Sequence, residues 1–459
     1  MASISRQLCK ELALPESLLD YLEYTGPSHV LPSSFQVTLA AQASIGTCAL
    51  AASYLHHLRG AFLQHIRVNS AHACAEFRSE RYLRVNDKNT PELWDKIAGN
   101  YPCKDRYLRL HTNFEHHRDG VLRLLECDND RQAVAEVLKS WEAFEFEELA
   151  SQHKMVVAAM RSMDEWKAHP QGKAIDMEPL VAVEQLTTGS PRVLPLRRRP
   201  LSGIRVLDLT RIIAGPVCGR ALAAHGADVL LVTSPNLPFV SPLVIDTGRG
   251  KRSCYIDLKT EQGKQTLESL IRDADVLIQG YRPHGIADLG FSPQRVAELN
   301  PNIVYVSLTA YGYSGPWQDK RGFDSLVQMT TGISDAEGKA SGAMGPRQLP
   351  AQVLDHASGY LMALGAITAL ARRTIHGGTY HVKVSLAKTS QWLQSLGRLD
   401  QHGFDLADPT LQGVTPFMSK VPSGFGTLFV VNHAAEMEVT PCEWTLPSVP
   451  LGTHSPAWI

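Results

Sequence analysis

The stretch LSGIRVLDLTRIIAGPVCGRALAAHGADVLLV, residues 201–232, decides the fold. Two short runs of strand-forming residues, IRVLDL (204–209) and DVLLV (228–232), flank a helical pattern, CGRALAAHG. The alternation continues through SCYIDL (253–258), DVLIQG (275–280) and IVYVSL (303–308), with the helical stretch TEQGKQTLESLIRDA between two of them. Strands alternating with helices at this spacing predict βαβ units: an α/β fold with a Rossmann-like, mainly parallel sheet covered by helices. Ligands in such sheets bind at the carboxyl ends of the strands.

Outward from this block the character changes. Residues 86–185 carry polar amphipathic patterns, RQAVAEVLKSWEAF and SQHKMVVAAMRSMDEW, with few strand signals, and read as a smaller, helix-rich domain. Residues 186–200, ending in the prolines and arginines of VLPLRRRP, read as an extended linker rather than a nucleic-acid patch. Residues 1–85 echo the large domain of 201–400. LPSSFQVTLAAQASIGTCALAASYL (31–55) has the cadence of LPAQVLDHASGYLMALGAITAL (349–370), and IRVNSAHACAEF (66–77) parallels VKVSLAKTSQWL (382–393). A degenerate partial duplication is expected, with residues 401–459 returning to the large domain.

Composition bounds the function. A chain of 459 residues exceeds one core, and 44% hydrophobic with 20% charged residues is ordinary for a globular protein. A net charge of −1 supplies no general field for nucleic acid or an anionic membrane, so any anion must be bound locally. Eight cysteines without a C-x-x-C pair argue against a zinc or disulfide scaffold and suit a reducing compartment, the cytoplasm or an organellar matrix. No apolar run reads as a membrane span or secretory leader, and PAWI is not a peroxisomal tail.

One acid stands out. Asp355 opens an almost uncharged apolar helical run, where an aspartate serves as an N-cap or as an oriented nucleophile for an activated acyl group. Its counterpart in the first copy is expected at Phe35 or Gln36, and that copy offers Thr38 as a cap and no acid. Other candidates read as structural. His111, His116 and His117 lack the spacing that completes a metal site, and Cys218 lies on an apolar helix face, so no metal is expected. Lys251 and Arg252 follow glycines in GRGKRS and suit a phosphate, though on the residues alone a solvated basic loop is the preferred reading.

Seven blocks then occur in order: LSGIRVLDLTRIIAGP, HGADVLLV, GRGKRSCYIDL, ADVLIQGYRPHGIADLG, LNPNIVYVSLTAYGYSGP, RGFDSLVQ and LDHASGYLMALGAITALARR. In this series the chain resembles the class III CoA-transferases, the CaiB/BaiF family, which also includes 2-methylacyl-CoA racemases. The resemblance implies that Asp355 attacks an acyl-CoA thioester, and that an aspartyl anhydride and an aspartyl-CoA thioester carry CoA to a second carboxylic acid. It implies CoA contacts at Ile213, Lys251, Arg252, Tyr281, Arg321, Phe323 and Asp324. It also implies acyl-CoA as a substrate rather than a permanently bound cofactor, and a homodimer. Gly280, Ser234 and Asp288 depart from the asparagine and arginines common at those places. A racemase is the alternative, but Phe323 replaces the histidine of its G-H-D block and cannot carry a proton. His356, beside Asp355 on the helix, points about 100° away. A non-catalytic CoA-ester binder is the third reading.

Overall fold

The structure, a computed structural model, describes residues 2–399 and 401–459. The expected boundary at residue 400 therefore lies outside the described residues. All five strand runs read from the sequence form strands of one sheet. Its order across the described residues is Lys251–Tyr255, Asp228–Thr233, Arg205–Leu209, Val276–Gln279, Val304–Thr309, Thr379–Ser385 and Ala182–Thr187. Six strands run parallel, and Ala182–Thr187 closes the edge antiparallel.

Both faces are covered, as a parallel sheet requires. Successive side chains of a strand point to opposite faces. Accordingly Leu207 and Leu209 join a core under the helices Glu261–Arg272 and Pro293–Leu299, while Val206 joins the larger core on the other face. That larger core holds the helices Ala214–Ala224, Val353–His376 and Val37–Leu58. The 353–376 helix is long and apolar enough to cross a membrane by length and composition, but its apolar stretch is buried inside the protein and only its last turn reaches the surface. Its close neighbour is the 214–224 helix: a Cβ on Gly359 would stand 2.6 Å from the Ala214 carbonyl oxygen.

The amino-terminal segment repeats the edge of the large sheet. Strands Leu22–Thr25 and Ile66–Asn69 pair in parallel across the 37–58 helix, and Ala435–Met437 adds antiparallel to the second. Strands 304–309, 379–385 and 182–187 have the same order and directions around the 353–376 helix. The two helices pack against each other. Their first residues, Val37 and Val353, lie 316 positions apart, as do the strand ends Asn69 and Ser385, each of which caps the helix that follows. In this register Asp355 matches Leu39, not Phe35 or Gln36. Gln36 instead matches Gln352, and both precede the first helical turn with near-identical backbone angles.

The smaller domain is less helical than its sequence suggests. A three-stranded antiparallel sheet, Gly99–Pro102, Tyr107–Leu110 and Val157–Ala159, packs with helices Glu115–Leu125, Arg131–Leu138 and Ala143–Gln152. Strands of three or four residues are too short to show a two-residue period against amphipathic helices. Ala182–Thr187 belongs to the large sheet, so a boundary at 185 runs through a strand. In the carboxy-terminal segment the Trp444 indole donates to the Arg220 carbonyl and that of Trp458 to the Leu270 carbonyl.

Candidate active site

Leaving strand 205–209, the sheet grows first toward 228–233 and 251–255, then restarts on the other side with 276–279. At this switch of direction the loops after two neighbouring parallel strands diverge, which opens a crevice at their carboxyl ends. A cavity of about 350 Å³ lies there. Thr210–Gly215 and Gly280–Arg282 line it from the two sides of the switch, Lys320–Phe323 from beyond strand 304–309, and Phe114, His116 and His117 from the small domain. Asp355 is the carboxylate on its wall. Ile212 holds a left-handed backbone at φ 76°, a costly conformation for a β-branched residue, at the turn that aims the 214–224 helix into the cavity.

Asp355 is not the N-cap. Gln352 holds that position without a side-chain bond, and Asp355 is the third helical residue. The cap comes from another helix: the Asp355 backbone N–H donates to Asp324 Oδ2 at 3.0 Å, and the Gln328 amide donates to Asp324 Oδ1. Asp324 is thus buried behind Asp355 rather than lining the cavity. The two roles expected of one carboxylate are divided between two, which leaves the Asp355 side chain free for chemistry.

Burial pushes the Asp355 carboxyl well above its ordinary range, and the charges of Asp324 and Glu80 push it further. Burial also raises Asp324, but the Asp355 N–H, the Gln328 amide and the Leu354 N–H hold it back. Of the pair, Asp355 therefore keeps the proton longer.

Ile213, Tyr281, Arg321 and Phe323 meet on the cavity wall with Asp355. Lys251 and Arg252 do not. The Lys251 ammonium is buried on strand 251–255, 2.8 Å from both Asp208 Oδ2 and the Pro216 carbonyl oxygen. Arg252 is also buried, donating to both Asp228 oxygens and to the Ala457 carbonyl. Their charges are already neutralised inside the fold, so neither offers itself to a phosphate.

Other cations line the cavity. Arg211 and Arg282, unremarked in the sequence, line the cavity with Arg321, and among the described residues none of the three forms an ion pair with a carboxylate. Arg211 Nη1 donates to the Pro238 carbonyl at 3.0 Å, and Arg321 Nη1 donates to His117 Nε2 at 3.1 Å. Burial, then His116, Arg321 and Arg211, push the His117 imidazole down to about 3, so it is a neutral acceptor. Lys320 is on the wall too, but Glu147 at 3.1 Å holds its charge. The histidine run dismissed as a metal site is therefore part of the cavity by another route, as hydrogen-bonding and ring surface. Sequence gave one signal for the arginines: each follows a parallel strand at the expected ligand end.

His225, His433 and Cys442 bring ligand-type atoms within 4.8 Å of one another, away from this cavity. Their contacts are hydrogen bonds within the fold: Cys442 Sγ is 3.7 Å from His225 Nδ1, and His433 meets Tyr360 and the Ala435 N–H. Burial pushes both imidazoles down; on His433 the charge of Glu76 opposes this and Arg220 and Arg249 add to it, while Arg199 adds to it on His225.

The sequence profile of CoA-transferase family III matches residues 201–413. Residues 201–413 are thus similar to CoA-transferase family III. An acetyl-coenzyme A transferase of Hypoxylon pulicicidum is 38% identical over 210 residues, which is 45% of this chain and 35% of that protein. A probable fatty acyl-CoA transferase of Mycobacterium tuberculosis is 37% identical over 214 residues, 43% of this chain and 53% of the relative. An acyl-CoA transferase of Gibberella moniliformis is 28% identical over 395 residues, 76% of this chain and 68% of the relative. The chain thus spans between a third and about half of the first two relatives' length. The family segment contains the cavity's arginines, Phe323 and Asp355, while Phe114, His116 and His117 lie outside it.

Proposed function

We propose that the protein moves CoA from an acyl-CoA thioester to a carboxylic acid, with Asp355 as the covalent carrier. The observation that carries this reading is a lone carboxylate on the wall of a cavity whose other charged wall residues, among the described residues, are cations. The chemistry balances without water or an external redox partner. An Asp355 oxygen attacks the thioester carbonyl, the C–S bond breaks, and a mixed anhydride and CoA thiolate result. The thiolate attacks the Asp355 acyl carbon, releasing the donor acid and leaving an aspartyl-CoA thioester. The acceptor carboxylate repeats these two steps in reverse, which restores Asp355 and yields the new thioester. Covalent catalysis divides one difficult exchange into easier ones.

The parts of the cavity suit this sequence. The start of the 214–224 helix lines the same space as Asp355, and free N–H groups at a helix start favour a developing oxyanion. Arg211, Arg282 and Arg321 suit the phosphates of CoA. Phe114, Phe323 and Leu308 supply apolar surface for an acyl chain. A racemase would need a second proton carrier near Asp355. Phe323 occupies the wall at the aligned position, and His356 is fully buried and bonded to Glu80, off the cavity wall. The homodimer belongs to the proposal as well, although small domain and large domain of one chain already build the cavity together.

The test is exchange of an isotope-labelled carboxylic acid into an acyl-CoA pool by the purified protein. Exchange that disappears in Asp355→Asn supports the transferase. Saturable acyl-CoA binding without exchange over a broad acid panel overturns it in favour of a binder, and α-proton exchange without CoA transfer overturns it in favour of a racemase.

A further inference from the structure

Two carboxylates of the first-copy segment clasp the helix that carries Asp355. Glu76 and Glu80 lie four residues apart, and their partners His356 and Tyr360 are also four apart, on one face of the 353–376 helix. His356 Nε2 donates to Glu80 Oε2 at 3.1 Å, and the Tyr360 hydroxyl donates to Glu76 Oε1. Phe77, between the two acids, stacks on both rings, with centroids 5.4 Å from His356 and 6.3 Å from Tyr360. All of these side chains are buried, Glu80 at 3% exposure and His356 at 0%. Burying a carboxylate costs several kcal/mol unless its partners compensate, and well-packed apolar residues often do as well for stability. At the matching places after strand 379–385 the register puts Trp392 and Leu396, an apolar solution to the same packing problem.

We propose that Glu80 is a positioning residue for Asp355: through His356 it fixes the rotation of the first turn of the 353–376 helix, so that the Asp355 carboxyl points into the cavity. The inference rests on the reading of Asp355 as the nucleophile. Two neighbours in sequence on a helix project about 100° apart, so holding His356 against Glu80 sets the direction of Asp355. The opposite side of the turn is held by Asp324, through the Asp355 N–H. Between these two anchors the nucleophile has little freedom, the condition under which orientation lowers a barrier. Glu76 is occupied differently, since Glu76 Oε2 accepts from the Ala434 N–H and Arg220 stands 3.9 Å away. Asp246 is paired with Arg220 and Arg249. Among the described residues, Glu80 has only the more distant Arg81, at 3.7 Å, besides His356 as an ion-pair partner. The charges that act on Asp355 are Asp324 from another helix and Glu80 on the buried side, while Arg211, Arg282 and Arg321 line the cavity that Asp355 faces.

Glu80→Gln keeps the shape and removes the charge, and His356→Gln addresses the same contact from the other end should the first variant fold poorly. For each folded variant, kcat and the KM for acyl-CoA are measured in the exchange reaction. The Asp355 titration is followed separately by infrared difference spectroscopy of the protonated carboxyl, with Asp355→Asn as the blank. The expected result is a fall in kcat of about tenfold or more with KM within about twofold. For Glu80→Gln, the infrared midpoint should also fall by roughly one pH unit, because a nearby negative charge is gone. A role in stability alone would lower the melting temperature and move neither readout. Unchanged kcat and unchanged midpoint in folded Glu80→Gln overturn the proposal. Failure of the wild type to exchange any acid, with the infrared midpoint still shifted by Glu80→Gln, would refute the nucleophile and leave the electrostatic coupling between Glu80 and Asp355 standing.

Discussion

The helices 37–58 and 353–376 have the same neighbours, the same strand order beside them and the same unbonded glutamine before their first turn. They differ at the third helical position, Leu39 in one and Asp355 in the other. Packing asks only that each helix be small and apolar along its contact, which alanine-rich runs in both satisfy. Chemistry asks for a carboxylate, a cavity and cations facing it, and only the later copy has this set among the described residues. The earlier copy contributes from behind, through Glu76 and Glu80. Duplicated architecture and divided labour are thus separable properties, and substitution at matched positions tests the separation.

The largest effect is expected at Asp355→Asn, which cannot form the anhydride: exchange should fall by about a thousandfold or more with the fold intact, and adding Leu39→Asp should restore none of it. The same variant should be more stable than the wild type, by a margin that depends on pH. The Asp355 pKa in the folded state is raised, so its ionisation is what folding opposes. Stability linked to the protonated form is fully present below the unfolded carboxylate range, near pH 4, and is lost as pH rises through the folded value. The difference in melting temperature, Asn minus Asp, should therefore widen as pH is raised above about 4. A difference that narrows with rising pH would contradict the assignment. Because attack needs the carboxylate, exchange by the wild type should rise with pH over the same interval.

Next in size is Lys251→Met. It strands Asp208 in the core and should cost on the order of 3–5 kcal/mol in denaturant unfolding, a stability effect where a phosphate contact would give a binding effect. Arg282→Gln should do the reverse, raising the KM for acyl-CoA about tenfold while leaving the melting temperature within a few degrees. The smallest change is Leu39→Ala. It sits at the place of Asp355 and should leave exchange unaltered, at a stability loss of about 1 kcal/mol for a side chain that is only half-buried. Loss of exchange there would mean that the two helices are not chemically distinct.

Much of this was legible in the residues. The parallel sheet followed from strand runs whose neighbours are helical, and Asp355 from an acid in an apolar run. What failed was the direction of side chains. Lys251 and Arg252 look like a loop because GRGKRS begins with glycines, yet they start a buried strand. One signal was present: an aspartate inside IRVLDL, a strand core, requires a buried partner, and Lys251 is that partner. Asp355 as a cap was a local reading, whereas the actual cap, Asp324, comes from 31 positions away. The Glu80–His356 contact spans 276 positions, and nothing local in SERY foretells it. Arg211 and Arg282 were within reach, since both follow strands at the ligand end, but isolated arginines in loops carry no pattern.

The most direct test of the account is the covalent intermediate itself. The wild-type protein is incubated with an acyl-CoA that supports exchange, quenched with hydroxylamine, digested and mapped by mass spectrometry. The account predicts a hydroxamate on the peptide that contains Asp355, localised to that residue, and none in Asp355→Asn. Modification at another residue, or exchange that persists in folded Asp355→Asn verified free of deamidation, would contradict it.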